Sequence, residues 1–137
     1  MKTLKVSAVL AVLAAPAFAE GDAAAGAEAF DRQCVSCHMI ADGDNVIAGR
    51  GKTGPNLFGL SGKTVGTTEG FNYGDAIVAA GAAGTVWTEE AFVPYVQDPT
   101  NWLRETTGDK KARSKMSFKV RSEEDAENLW AYLSTFN

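Results

Sequence analysis

Apolar residues recur at helical spacing in two stretches of this chain, and strand-like alternation is scarce. The clearer stretch lies at the end, where Ala126, Leu129, Trp130, Leu133 and Phe136 fall three or four positions apart, the interval that stacks side chains on one face of an α-helix. Ser122, with Asp125 three residues on, supplies a capping-box-like start, so a helix is expected from there to the C-terminus. A second helix is expected after Asp22, a side chain suited to capping, through the Ala-rich segment to Gln33, with Gly26 and Phe30 four apart on one face. Glycine inside a helix costs about 1 kcal/mol relative to alanine, so Gly26 points to close approach by another helix. The aromatic face of the last helix is its natural partner.

Between these ends the chain is more heavily punctuated. Thr88 caps a segment ended by Asp98-Pro99, and Pro94 inside it removes a helical hydrogen bond, so a kink or a late start is expected. Shorter helices are expected at residues 74–80, closed by Gly81, and 101–106, closed by Gly108. Residues 43–70 carry eight glycines and read as a long irregular loop. So much irregular chain in one small all-α domain suggests that it wraps something other than itself. A large buried apolar cofactor would enlarge an otherwise limited core.

The first nineteen residues read as a cleavable export signal. Lys2 and Lys5 open it, residues 4–13 form an apolar run short for a bilayer, and Ala17-Phe18-Ala19 fits the cleavage pattern. The mature protein is then residues 20–137, one domain, exported to the periplasm; an uncleaved membrane anchor is the alternative, and no second apolar span follows. Without Lys2 and Lys5, the 13 basic and 17 acidic residues become a formal charge of about −6. That balance argues against nucleic acid. The charge is nevertheless sorted: Lys110, Lys111, Arg113, Lys115, Lys119 and Arg121 follow one another with no acid between, either as a solvated loop or as a basic face.

Both cysteines, Cys34 and Cys37, and the single histidine, His38, lie within five residues. A structural zinc site needs about four ligands, and no further cysteine or histidine exists to complete one. A thioredoxin-like pair expects a strand-helix-strand setting, and a disulfide closing so short a loop is poor in geometry and in yield of stability. Covalent haem attachment through C-x-x-C-H explains the spacing: two cysteines on one turn reach the two vinyl groups, and His38 follows with its imidazole directed at the iron. The second axial position separates an electron carrier from a gas-binding or catalytic protein. Met1 is in the signal and Met39 adjoins His38, which leaves Met116 as ligand or as core methionine.

Taken in order, Gly26 with Phe30, CVSCH, KTGPNLFG at 52–59, GFNYGDA at 70–76, VWTEE at 86–90, YVQDP at 95–99, KMSF at 115–118 and LWAYL at 129–133 resemble the class I c-type cytochromes, in particular the cytochrome c2 group. The resemblance implies the small cytochrome c fold, with first and last helices crossing at Gly26 and Phe30 against Leu129 and Tyr132, and one covalently bound haem c with His38 and Met116 as axial ligands. It implies that the Pro55 carbonyl orients His38, that Tyr73 and Trp87 hydrogen-bond a propionate, and that the Tyr95 hydroxyl approaches the methionine sulfur. Three departures stand out: Lys63 where an arginine usually faces the propionates, Pro94 directly before Tyr95, and Ser114 for the usual threonine.

The function implied is that of a monomeric electron carrier, not an enzyme, cycling between Fe(III) and Fe(II). By family analogy it carries electrons from the cytochrome bc1 complex to a photosynthetic reaction centre or a terminal oxidase, with no nucleic-acid partner and no stable membrane insertion. Lys52, Lys110, Lys111, Lys115 and Lys119 would steer the haem edge toward acidic surfaces. A haem enzyme or gas sensor with an open sixth position is the alternative.

Overall fold

The computed structural model describes residues 20–137; the expected export signal lies outside them. Five helices and one hairpin occur among the described residues: α1 (Ala23–Gln33), β1 (Met39–Asp42), β2 (Asn45–Gly49), α2 (Asp75–Ala82), α3 (Glu89–Gln97), α4 (Pro99–Thr107) and α5 (Glu123–Leu133). The all-α reading holds, with loops filling the spaces between short helices.

The frame is the crossing of α1 and α5. Asp22 caps α1 by accepting from the N–H groups of Ala24 and Ala25, and Ser122 caps α5 by accepting from the Asp125 N–H at 3.2 Å. A Cβ at Gly26 would overlap the Asn128 carbonyl and the Tyr132 Cβ, so only glycine lets the two backbones approach this closely. Phe30, fully buried, packs its ring 5.8 Å from that of Tyr132; burying such a side chain stabilises by about 1.5–3 kcal/mol. Polar contacts finish the junction, the Asp22 N–H donating to Asn128 Oδ1 at 2.7 Å and Gln33 Nε2 to Asp125 Oδ2 at 2.6 Å.

Four local expectations are revised. α5 stops at Leu133, because the tail turns to let the Phe136 carbonyl accept from the Gly59 N–H at 2.8 Å. Gly81 lies inside α2 rather than closing it: a Cβ there would overlap the Val65 carbonyl, and the chain turns instead at Gly84, φ 97°. α3 begins at Glu89 directly after its Thr88 cap, and Pro94 is tolerated within a nine-residue helix. Asp98 then serves both neighbours, ending α3 and capping α4 through the Asn101 N–H, so that Pro99 opens α4 where its missing N–H costs nothing.

The hairpin falls at the edge of what reads as irregular loop. β1 and β2 pair antiparallel around Gly43, with a bulge between Ile40 and Ala41. The extra residue is Ile47 of β2, left unpaired opposite them; Ile40 and Ala41 are both buried and Val46 and Ile47 both exposed, so neither strand shows the alternation by which a strand announces itself.

Candidate functional site

The site begins where α1 ends. Cys34 is the C-cap of α1, its N–H donating to the Phe30 carbonyl at 2.8 Å, and the chain coils on so that the N–H groups of Cys37 and His38 both reach the Cys34 carbonyl, at 3.1 and 2.9 Å. Both cysteines and the histidine therefore sit on one turn, and the two sulfurs are not joined in a disulfide. Burial pushes the Cys34 thiol up to about 12, the neighbouring Cys37 adding a smaller push; Cys37 is exposed.

A second segment closes over this turn. The Gly51 N–H donates to the Val35 carbonyl at 3.1 Å and the Gly54 N–H to that of Cys37 at 2.7 Å. Side chains are excluded at both glycines, since a Cβ at Gly51 would strike the Cys37 backbone and one at Gly54 the His38 ring. So close a fit delivers the Pro55 carbonyl to His38 Nδ1 at 2.8 Å. A carbonyl only accepts, so Nδ1 carries the proton and Nε2 keeps its lone pair for a ligand. Burial lowers the pKa of His38, the bond to Pro55 opposing it, which favours the neutral, ligating ring. Asn56 braces this segment: its Oδ1 accepts from Ala41 and Phe58 at 3.0 and 3.1 Å, and its Nδ2 donates to the Ala41 carbonyl at 2.7 Å.

His38 lines a cavity of about 460 Å³, within the range of about 300–1,000 Å³ usual for cofactor sites. Cys34, Cys37, Pro55, Tyr73, Trp87, Tyr95 and Met116 line the same cavity, with Leu57, Leu60, Leu103, Leu129 and Leu133 among its apolar wall. All eight residues singled out from the sequence thus meet in one place. Tyr73 Oη accepts from the Thr68 N–H at 3.2 Å. Trp87 stacks on Trp102 at 5.7 Å and meets Tyr95 edge-on at 4.9 Å, so Pro94 leaves Tyr95 packed in the core. Burial pushes the Tyr95 phenol up, against an opposing pull from Ser114. Lys63 directs Nζ to the Phe58 carbonyl and the Thr68 hydroxyl, 3.5 Å from each.

The Met116 loop is tied at several points. Ser114, whose own N–H donates to Thr100 Oγ1 at 3.2 Å, accepts from the Met116 N–H at 3.1 Å through its hydroxyl. Lys115 Nζ donates to the Asn72 carbonyl at 2.6 Å, and Lys119 pairs with Asp98 at 2.7 Å. Two lysines expected to steer partners therefore also hold this loop.

The residues suit a haem. A buried imidazole with its distal nitrogen fixed, a thioether, and two thiols on one turn share an apolar cavity. Among the described residues no cluster of three or more His, Cys, Asp or Glu could hold a metal ion unaided, so iron would come with its own macrocycle. Sequence reading missed Gly51, Gly54 and Asn56; their only signal was the KTGPNLFG segment as a whole.

Short helices and glycine-rich loops around a cavity that joins imidazole, thioether and paired thiols define a helical protein built to enclose a prosthetic group. The family model for cytochrome c matches residues 23–137. A cytochrome c2 of Cereibacter sphaeroides is 54% identical over 132 residues, covering 93% of this chain and 90% of that protein. A cytochrome c-551 of Roseobacter denitrificans is 48% identical over 136 residues, covering 98% and 94%. Among solved structures, cytochrome c2 from Rhodobacter sphaeroides aligns with a TM-score of 0.82 at 54% identity, covering 85% of this chain and 97% of that one. Ferric cytochrome c-550 from Paracoccus versutus aligns at 0.79 and 41% identity, covering 85% and 98%.

This chain belongs to the cytochrome c family, as a haem-bearing electron carrier rather than an enzyme.

Proposed function

We propose that residues 20–137, freed from an export signal at residues 1–19, act in the periplasm as a monomeric carrier that takes electrons from the cytochrome bc1 complex and delivers them to a photosynthetic reaction centre or a terminal oxidase. Cys34 and Cys37 would hold haem c covalently, and His38 and Met116 would hold its iron. The observation that carries this reading is that His38, its Nδ1 tied to Pro55, and Met116 line one cavity. When bound, the haem supplies one-electron Fe(III)/Fe(II) chemistry, and a thioether ligand favours the ferrous state.

The chain's own residues keep that chemistry simple. Pro55 fixes the imidazole plane and strengthens its donor nitrogen. Tyr73 and Trp87 would meet the propionates, and Tyr95 would lie beside the Met116 sulfur. The leucine-rich wall excludes water, which limits reorganisation when the charge on the site changes. Electrons would leave by the edge near the cysteines, steered by Lys52, Lys110 and Lys111, which are all exposed. Lys115 and Lys119 would add to that field while anchoring the loop.

Spectra of the purified holoprotein and of Met116→Ala test the ligand set. The parent should show the far-red sulfur-to-iron absorbance of the ferric state and take up carbon monoxide slowly; the variant should lose the band and bind the gas readily. A parent that lacks the band and binds the gas would instead be the open-site haem enzyme or sensor.

A further inference from the structure

The outer side of the β1–β2 hairpin has no part in the cavity. Ile40 and Ala41 turn into the core, while Val46 and Ile47 remain 52% and 42% exposed. With Val35, Met39, Arg50 and Lys52 they line a surface groove of about 660 Å³. Val35 lies between Cys34 and Cys37, so the groove adjoins the turn on which the cysteines sit. Its only charged lining residues are cations, Arg50 and Lys52, at the hairpin's base. Asp42 and Asp44 flank Gly43 at the tip, off the groove. The hairpin is thus graded along its length, with an acidic tip, an apolar middle and a cationic base.

We infer that this groove seats a protruding apolar side chain of an acidic-rimmed redox protein, whose carboxylates meet Arg50 and Lys52 while Val46 and Ile47 make the dry contact. This rests on the carrier reading above and adds to it where the partner sits and which way round. Steering by lysine acts at a distance and weakens with salt, whereas apolar burial acts only on contact and is nearly indifferent to salt. A carrier that must dock quickly and separate quickly needs a contact of this small size beside its lysines. The graded charge allows one orientation, because a partner turned end for end would set its carboxylates against Asp42 and Asp44. An anionic bilayer is a poorer fit: it would meet the tip carboxylates first, and a concave apolar surface offers nothing to insert. A second copy seated groove to groove would set Arg50 and Lys52 against cations of its own kind rather than against carboxylates.

The test measures binding of the holoprotein to purified cytochrome bc1 complex and to purified photosynthetic reaction centre across a range of ionic strength. Val46→Thr with Ile47→Thr keeps β-branched side chains in the strand and should bind about tenfold more weakly at every ionic strength, with the salt slope unchanged. Arg50→Gln with Lys52→Gln should instead flatten the slope. Amide hydrogen exchange of the unaltered holoprotein gives a readout free of folding effects: Ala48 and Gly49 should exchange more slowly with partner bound. Equal affinity of the threonine variant, or unchanged exchange at Ala48 and Gly49, with the salt slope intact overturns this inference alone. Absence of salt-dependent binding to either complex overturns the partner reading and this inference with it. Co-sedimentation with phosphatidylglycerol vesicles, or concentration-dependent dimerisation, that the threonine variant abolishes would assign the groove to a membrane or to a second copy and equally overturn it.

Discussion

At the scale of single residues, the site depends on backbone as much as on ligands. Gly54 lets the Pro55 carbonyl reach His38, and a Cβ there would collide with the ring. Gly54→Ala should therefore tilt the imidazole and lower the midpoint potential, measurable by redox titration, whereas Pro55→Ala, which keeps the carbonyl, should change it less. Tyr95 makes a separate prediction. Burial raises its folded-state pKa above the ordinary value of 10, so the stability it contributes is complete below that value and is lost as pH rises through the folded-state value. Tyr95→Phe should remove this component of alkaline unfolding, read by denaturant titration on either side of pH ~10. That the eight residues singled out from the sequence gather at one cavity was legible because CVSCH announces its own chemistry and the motifs around it keep a known order. Gly54 and Asn56 were not, because what they do depends on which backbone they face.

Helices were legible where caps and periodicity agreed, as at Asp22 and Ser122. They blurred where one residue serves two elements: Asp98 closes α3 and opens α4 in the same position, which a pattern read segment by segment records only as an end. The hairpin was hidden by its own bulge. Gly81 misled for another reason, since its lack of a side chain answers to a neighbouring carbonyl rather than to a turn. Gly26 was read correctly as a crossing point because its cost in helix propensity had no local explanation. Gly26→Ala should push Asn128 and Tyr132 away and destabilise the protein by about 1–3 kcal/mol in denaturant titrations, more than the gain in helix propensity returns. Ser122→Ala should cost about 1 kcal/mol through the lost cap alone.

For the molecule as a whole, an acidic chain presents a local run of cations, and the ties at Lys115 and Lys119 divide that run. Lys110 and Lys111 are exposed and lie outside the Met116 anchoring contacts. Lys110→Glu with Lys111→Glu should slow electron transfer to a membrane partner severalfold at low ionic strength and converge with the parent at high salt, in stopped-flow kinetics. The far-red band should be unaffected, which separates steering from ligation. Composition alone did not reveal this, because the net charge hides how the cations are distributed.

The first helix and the last are partners, and more than ninety residues separate Gln33 from Asp125. A ribosome releases the first long before the second, so the nascent polypeptide cannot complete its frame until almost all of it has emerged. Losing even the final dozen residues would therefore leave the opening helix without a mate and undo the scaffold from its beginning.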